Sequence, residues 1–280
     1  MPSTWGKVAR AGARTVRPAP DREDKPPEKR DRGRPPAWEP EKWTEEPASE
    51  RRPARKKAGA PSPAAPSPRT RKVPKVIAQE VAGAVEPSIA PRIERRLSQA
   101  ADAFERDHLA DALRILKPLS KEAPTVPAVR ELTGLAYYGN GQWALAAKEL
   151  EAFRALSSSV EQHPVLADCY RALRRYKAVA DLWDELREAS PEAALVTEGR
   201  IVAAGALADQ GDVKGAIQLL ERGPVRPKRA AALHHARLWY ALADLYERAG
   251  DAPKARELFQ RVMTVEPGLA DAAERLSALG

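Results

Sequence analysis

From about Val73 onward, apolar residues recur at helical spacing, and one arrangement of small and large side chains returns five times. The small residues Ala100, Gly134, Ala167, Ala204 and Ala243 mark the series, with steps of 34, 33, 37 and 39 residues. Three positions beyond each stand Ala103, Tyr137, Tyr170, Leu207 and Tyr246. Twelve beyond stand Ala112, Ala146, Val179, Ala216 and Ala255, and sixteen beyond stand Leu116, Leu150, Trp183, Leu220 and Phe259. Alanine is the best helix former, and small residues let two helices approach closely. The pattern therefore predicts five helix pairs, each crossing at its small residue. Asn140-Gly141, Gly211-Asp212 and Gly250-Asp251 place turns between the helices of a pair. Pro124, Pro191 and Pro267 end the second helix in three of the five units. Unit one is the weaker match, with Gln99 and Ala103 at large apolar positions. Unit four lacks an aromatic residue, and 37 residues separate its marker from the one before.

A single pair cannot bury its apolar face alone, so neighbouring pairs stack and coil into a superhelix with a concave surface. The segment from Pro267 to Gly280 is expected to cap the stack, with Leu269, Ala273 and Leu276 inward and Asp271, Glu274 and Arg275 outward. A short helix from Val76 to Val85 is expected to close the first pair. In the last unit Trp239, Leu242, Ala243, Tyr246, Gly250, Ala255, Phe259 and Pro267 stand in the order and spacing of a tetratricopeptide unit. The chain resembles that family over about 75–279. The stretches GLAYYGNGQWALAAKEL, VLADCYRALRRYKAVADL and GRIVAAGALADQGDVKGA are also similar to actinobacterial tetratricopeptide proteins with basic, low-complexity N-terminal tails. The resemblance implies an all-α fold: a right-handed α-solenoid of about five helix pairs plus a C-terminal capping helix. It implies a scaffold or adaptor without chemistry of its own, holding a peptide or helix in the concave groove.

Charge divides the chain at the same place as the apolar pattern. Residues 1–75 hold 20 Lys/Arg and 10 Asp/Glu, a net +10, whereas residues 76–280 hold 27 and 29, a net −2. Residues 1–72 are dense in proline, as in APSPAAPSPR and RGRPPAWEP, and poor in apolar side chains. They are expected to form a disordered basic tail, with the repeat domain at 73–280. Within the tail, Arg51, Arg52, Arg55, Lys56 and Lys57 form a cation cluster suited to phosphate contact by counterion release. Two readings of the tail stay open: nucleic-acid or ribosome contact, and service as a solubilising spacer. Residues 4–17 could form a short basic helix, and Trp38 and Trp43 could serve as a docking motif. Arg222, Arg226, Lys228 and Arg229, in the link between units four and five, are a candidate second basic patch.

Catalytic signatures are missing. There is no G-x-x-x-x-G-K-[ST], H-E-x-x-H, G-x-S-x-G or C-x-x-C. Cys169 is the only cysteine and is read as core packing, and the adjacent His234 and His235 diverge by about 100° on a helix. No cofactor or metal is expected. No apolar run approaches the roughly 20 residues of a membrane span, and no secretory leader is evident, so a cytoplasmic location is expected. First helices line the groove, and its exposed positions are expected to include Glu131, Tyr138, Asp168, Arg171, Arg237, Tyr240, Asp244, Glu247 and Arg248. Two tyrosines to anchor a peptide and arginines to pair with carboxylates would suit a protein partner. Some tetratricopeptide domains grip a C-terminal carboxylate with a Lys and Asn set. The matching positions here, Leu97 and Ala101, cannot hydrogen-bond one.

Overall fold

The computed structural model describes residues 73–189, 191–227 and 230–280. The expected tail, with its five-cation cluster and its Trp islands, lies outside the described residues, as do Lys228 and Arg229.

Twelve helices and no strand make up the described residues. A leading helix, α1 (Lys75–Ala84), precedes five pairs: α2 (Ala90–Glu105) with α3 (Leu109–Glu122), α4 (Pro127–Gly139) with α5 (Trp143–Ser157), α6 (His163–Ala172) with α7 (Tyr176–Ala189), α8 (Ala193–Asp209) with α9 (Val213–Glu221), and α10 (Leu233–Arg248) with α11 (Ala252–Val265). A short α12 (Ala272–Ala278) ends the stack.

The marker residues sit where the helices of a pair come closest. Ala100, Ala204 and Ala243 are fully buried. A Cβ on Gly134 would fall 2.7 Å from the Leu150 side chain of the paired helix. The residues twelve beyond the markers are all buried, and of those sixteen beyond, Leu116, Leu150, Leu220 and Phe259 are fully buried. Burying a side chain of that size stabilises by about 1.5–3 kcal/mol. Unit four keeps the same register despite its spacing, since Ala204, Ala216 and Leu220 all stand in the core. The departure lies at its border with unit three, whose Trp183 is only partly buried, and the apolar core divides there, one cluster running from Ile77 to Leu182 with Ala206 and another from Ala204 to Ala272.

The turns repeat as strictly as the core. The residue seven beyond each marker has a left-handed backbone: Asp107, Gly141, Arg174, Gly211 and Gly250, with φ of 61°, 70°, 57°, 90° and 82°. Glycine adopts that conformation without a Cβ clash. The sequence marks it in three turns, while Asp107 and Arg174 hold it without glycine. Asp212 and Asp251 then cap the following helices, accepting from the amides of Gly215 and Lys254 at 2.8 and 3.2 Å.

The two ends differ in how well they match expectation. α1 closes the first pair through Ile77 and Val81. At the other end the helix is shorter than expected and rotated. Ala272 is its buried residue, Ala273 is exposed, and Arg275 turns inward. The reason is electrostatic: Arg275 meets Asp244 at 2.8 Å and Glu247 at 2.6 Å, with its guanidinium 4.8 Å from the Phe259 ring centre.

The same substitution should act with opposite sign at two glycines. Both have open space around the Cβ site, but only Gly211 needs positive φ. Gly211→Ala should lower unfolding free energy by about 1 kcal/mol and Gly83→Ala, within α1, should raise it by about 0.5 kcal/mol. Urea titration followed by circular dichroism measures both.

Candidate functional site

The first helices α2, α4, α6, α8 and α10 pack against one another in sequence. Their polar side chains reach from one helix to the next. The Tyr138 hydroxyl (α4) donates to Asp168 Oδ2 (α6) at 2.7 Å. Arg171, one turn on, lies 3.6 Å from Asp168 and donates through Nε and Nη2 to Asp209 (α8) at 2.6 and 3.2 Å. The fork-to-carboxylate geometry fixes the guanidinium plane. The route crosses Gly205, where a Cβ would come 2.7 Å from the guanidinium carbon. Further along, Arg237 (α10) pairs with Glu198 (α8) at 2.6 Å, Arg248 donates to the Ala208 carbonyl at 3.2 Å, and the Tyr240 hydroxyl donates to Asp271.

Burial shapes the chemistry of this row. It pushes the Tyr138 phenol well up, with the Asp168 charge adding to the effect. Asp168 is also raised, because burial outweighs its hydrogen bond from Tyr138 and the Arg171 charge. At Arg171 burial works downward, but the hydrogen bonds and charge of Asp209 overcome it and the pKa ends up raised. The two shifts agree once the distances are read: Asp209, not Asp168, is the close partner of Arg171. Tyr240 is pushed up to about 12 by burial and by its bond to Asp271.

These geometries change the expected groove. Glu131 and Asp168 are buried, at 2 % and 9 % exposure, rather than presented to a partner. Glu131 accepts from Gln162 Nε2 at 2.7 Å. Tyr138, Arg171, Arg237, Tyr240 and Asp244 are partly buried, each tied to a neighbouring helix or to the C-terminal cap. Glu247 is exposed but bridged to Arg275, and Arg248 is exposed with its one backbone contact. The physical reason is close packing of successive first helices, which puts each polar side chain within reach of the next unit.

A second row went unnoticed in the sequence. Four residues before the markers stand Arg96, Arg130, His163, Arg200 and Trp239. In the first three units this residue meets a glutamate of its own unit's second helix: Arg96 with Glu122 at 3.0 Å, Arg130 with Glu149 at 2.7 Å, and His163 with Glu185 at 3.0 Å. Arg92 also reaches Glu122. Reading the offset of four before each marker would have found the row.

Residues 236–279 match the family model of the tetratricopeptide repeat. The folded body is a tetratricopeptide-repeat solenoid. Solved structures agree on the fold. A thermophilic tetratricopeptide protein of Thermus thermophilus superposes with a TM-score of 0.51 at 16% identity, covering 67% of this chain and 98% of that one. The nearly identical tetratricopeptide-like repeats attributed to a kinesin light chain of Podosopora anserina give 0.50 at 19% identity, covering 62% and 94%. No curated protein matches the chain.

Within this tetratricopeptide body the other candidate groups are structural. Cys169 is fully buried and its thiol is pushed up by burial, which disfavours the reactive thiolate. His235 Nδ1 accepts from the Ala232 amide at 3.0 Å and so caps α10. Among the described residues no group of three His, Cys, Asp or Glu side chains could hold a metal, and no helix is long and apolar enough to cross a membrane.

Arg171→Ala should cost about 3–5 kcal/mol, since it leaves Asp168 and Asp209 without this cation. Gly205→Ala should destabilise the otherwise unchanged chain by displacing the guanidinium, yet be neutral or favourable when Arg171 is already Ala. A double-mutant cycle by urea unfolding reads the coupling.

Proposed function

We propose that the chain is a scaffold or adaptor that holds a peptide or helix of a partner protein along its concave face. The tetratricopeptide fold is one that generally mediates protein–protein interaction. The observation that carries the finer reading is the Tyr138–Asp168–Arg171–Asp209 chain across three first helices. That chain locks the first helices beneath the face before any partner arrives, so binding on the face orders few groups and loses little entropy. Exposed Ala172 and Arg248, both five residues beyond a marker, flank this fixed row in units three and five. In this reading residues 73–280 do the holding and residues 1–72 act as a basic tether.

Nucleic-acid or ribosome contact rests on Arg51, Arg52, Arg55, Lys56 and Lys57 alone, and neither the fold nor the similar structures favour it.

A photoreactive residue placed at Ala172, Arg248 or Leu145 of the full chain tests the concave face, Leu145 being an exposed residue of the second helix α5. The same partner should crosslink from positions 172 and 248 in cells and fail to crosslink from 145. Arg248→Glu should abolish capture at 172. Equal labelling from all three positions would refute the concave assignment.

A further inference from the structure

The row of residues four before the markers leaves one charge unanswered. In α2, α4 and α6 it meets a glutamate of its own unit. In α8 the residue is Arg200, and among the described residues no carboxylate stands against it. The position that holds Glu149 in unit two holds Leu219 in unit four, fifteen residues beyond each marker. Arg200 therefore reaches only the Leu219 carbonyl, Nη1 to O at 3.1 Å. Its guanidinium carbon lies 5.0 Å from the Trp183 ring centre, and its Nε is buried with no hydrogen-bond partner. Burial, and then the charges of Arg187 and Arg222, lower its pKa. A cation partly withdrawn from water and set among like charges is costly unless an anion joins it.

We propose that Arg200, flanked by Arg187 and Arg222 against the Trp183 ring, is a recognition site for a carboxylate side chain on an acidic segment of a partner protein. The repeat itself indicates which anion is missing. Three equivalent positions are completed by glutamate, from Glu122, Glu149 and Glu185, whereas the matching places of unit four hold Arg226, Leu219 and Arg222. Arg222 is exposed, and so is Arg226 in the link that follows α9, so the approach is electropositive. A polyphosphate backbone suits the site poorly. The outer face of α7 carries exposed Asp181, Asp184 and Glu188, with Asp184 already paired to Arg187 at 2.9 Å. These charges oppose a backbone that bears a charge at every unit more strongly than one inserted carboxylate. The site faces α7 and α9 rather than the concave row. It shares with the scaffold reading only that the partner is a protein.

The test uses the full chain with a glutamate-rich peptide carrying a photocrosslinker, a glutamine version as control, and crosslinks mapped by mass spectrometry. The glutamate peptide should mark residues around Trp183 to Arg187 and Leu219 to Arg226, with the control much weaker. Arg200→Gln should reduce that labelling by about tenfold or more, the loss expected for one charge-assisted contact. Leu219→Glu supplies the internal carboxylate that unit two has. It should reduce labelling equally while the melting temperature stays at or above that of the unchanged chain, which separates lost binding from lost folding. Labelling confined to residues 1–72, or unchanged in both variants, would overturn the proposal. Competition by inorganic phosphate or an RNA oligonucleotide as effective as the peptide would overturn the carboxylate assignment. Arg248→Glu on the concave face should leave this labelling intact, so failure here and failure of the concave reading are distinguishable.

Discussion

The close approach of two helices at one small residue is the constraint from which the rest of the body follows. At Gly134 a Cβ would fall 2.7 Å from the Leu150 side chain, and Ala100, Ala204 and Ala243 are fully buried at the same place. Helices held that near bury a full-sized side chain sixteen residues on, and the left-handed residue seven positions on turns the chain back in register. Because each turn is built alike, each pair leaves the same apolar face for the next. The stack is therefore a sum of similar crossings and similar interfaces between them.

That regularity also disposes the polar side chains in rows. Residues one, four and five beyond a marker sit where one first helix faces the next. Asp168, Arg171 and Asp209 thus join units to one another. Residues four before a marker face their own second helix, so Arg96, Arg130 and His163 join the two halves of a unit. The first row ties each unit to the next. The second closes the hairpins of units one to three; in the last unit Trp239 stands at that position, and its Nε1 donates to the Val225 carbonyl in the link before α10 at 2.8 Å. An indole and a guanidinium–carboxylate pair fill the same place by different means, one by apolar area and the other by charge.

The architecture was legible because it rests on small and large apolar residues at fixed intervals. Ala100 to Ala243, Leu116 to Phe259 and the turn glycines needed no more than spacing to be placed. Position on a helix, however, does not decide exposure. Asp168 and Glu131 fall at groove positions, yet they are buried because neighbouring helices lie close enough for Tyr138 and Gln162 to reach them. Arg275 looked outward by polarity, and it turned inward because two carboxylates of α10 and the Phe259 ring give a buried arginine full compensation. The left-handed turns at Asp107 and Arg174 were invisible for the opposite reason, since those residue types carry no signal for positive φ. Polar contacts between units depend on distances that only the assembled stack sets.

The fourth unit brings these lines together. It keeps the crossing at Ala204, so the backbone geometry passes through it unchanged, and the extra residues before it lengthen the path without shifting the register. What is incomplete is its border with unit three: Trp183 of that unit stands partly exposed where the other units bury Leu or Phe, the apolar core divides, and among the described residues no carboxylate stands against Arg200. A repeat can tolerate such a gap because its neighbours on both sides still supply their interfaces, so the cost stays local. Tolerance of that kind explains how an irregular unit stands in the stack, but it does not explain why a cation sits there without a counter-charge. An apolar residue at position 200 would stack on Trp183 without the desolvation penalty. The charge is accounted for when the carboxylate comes from outside the chain.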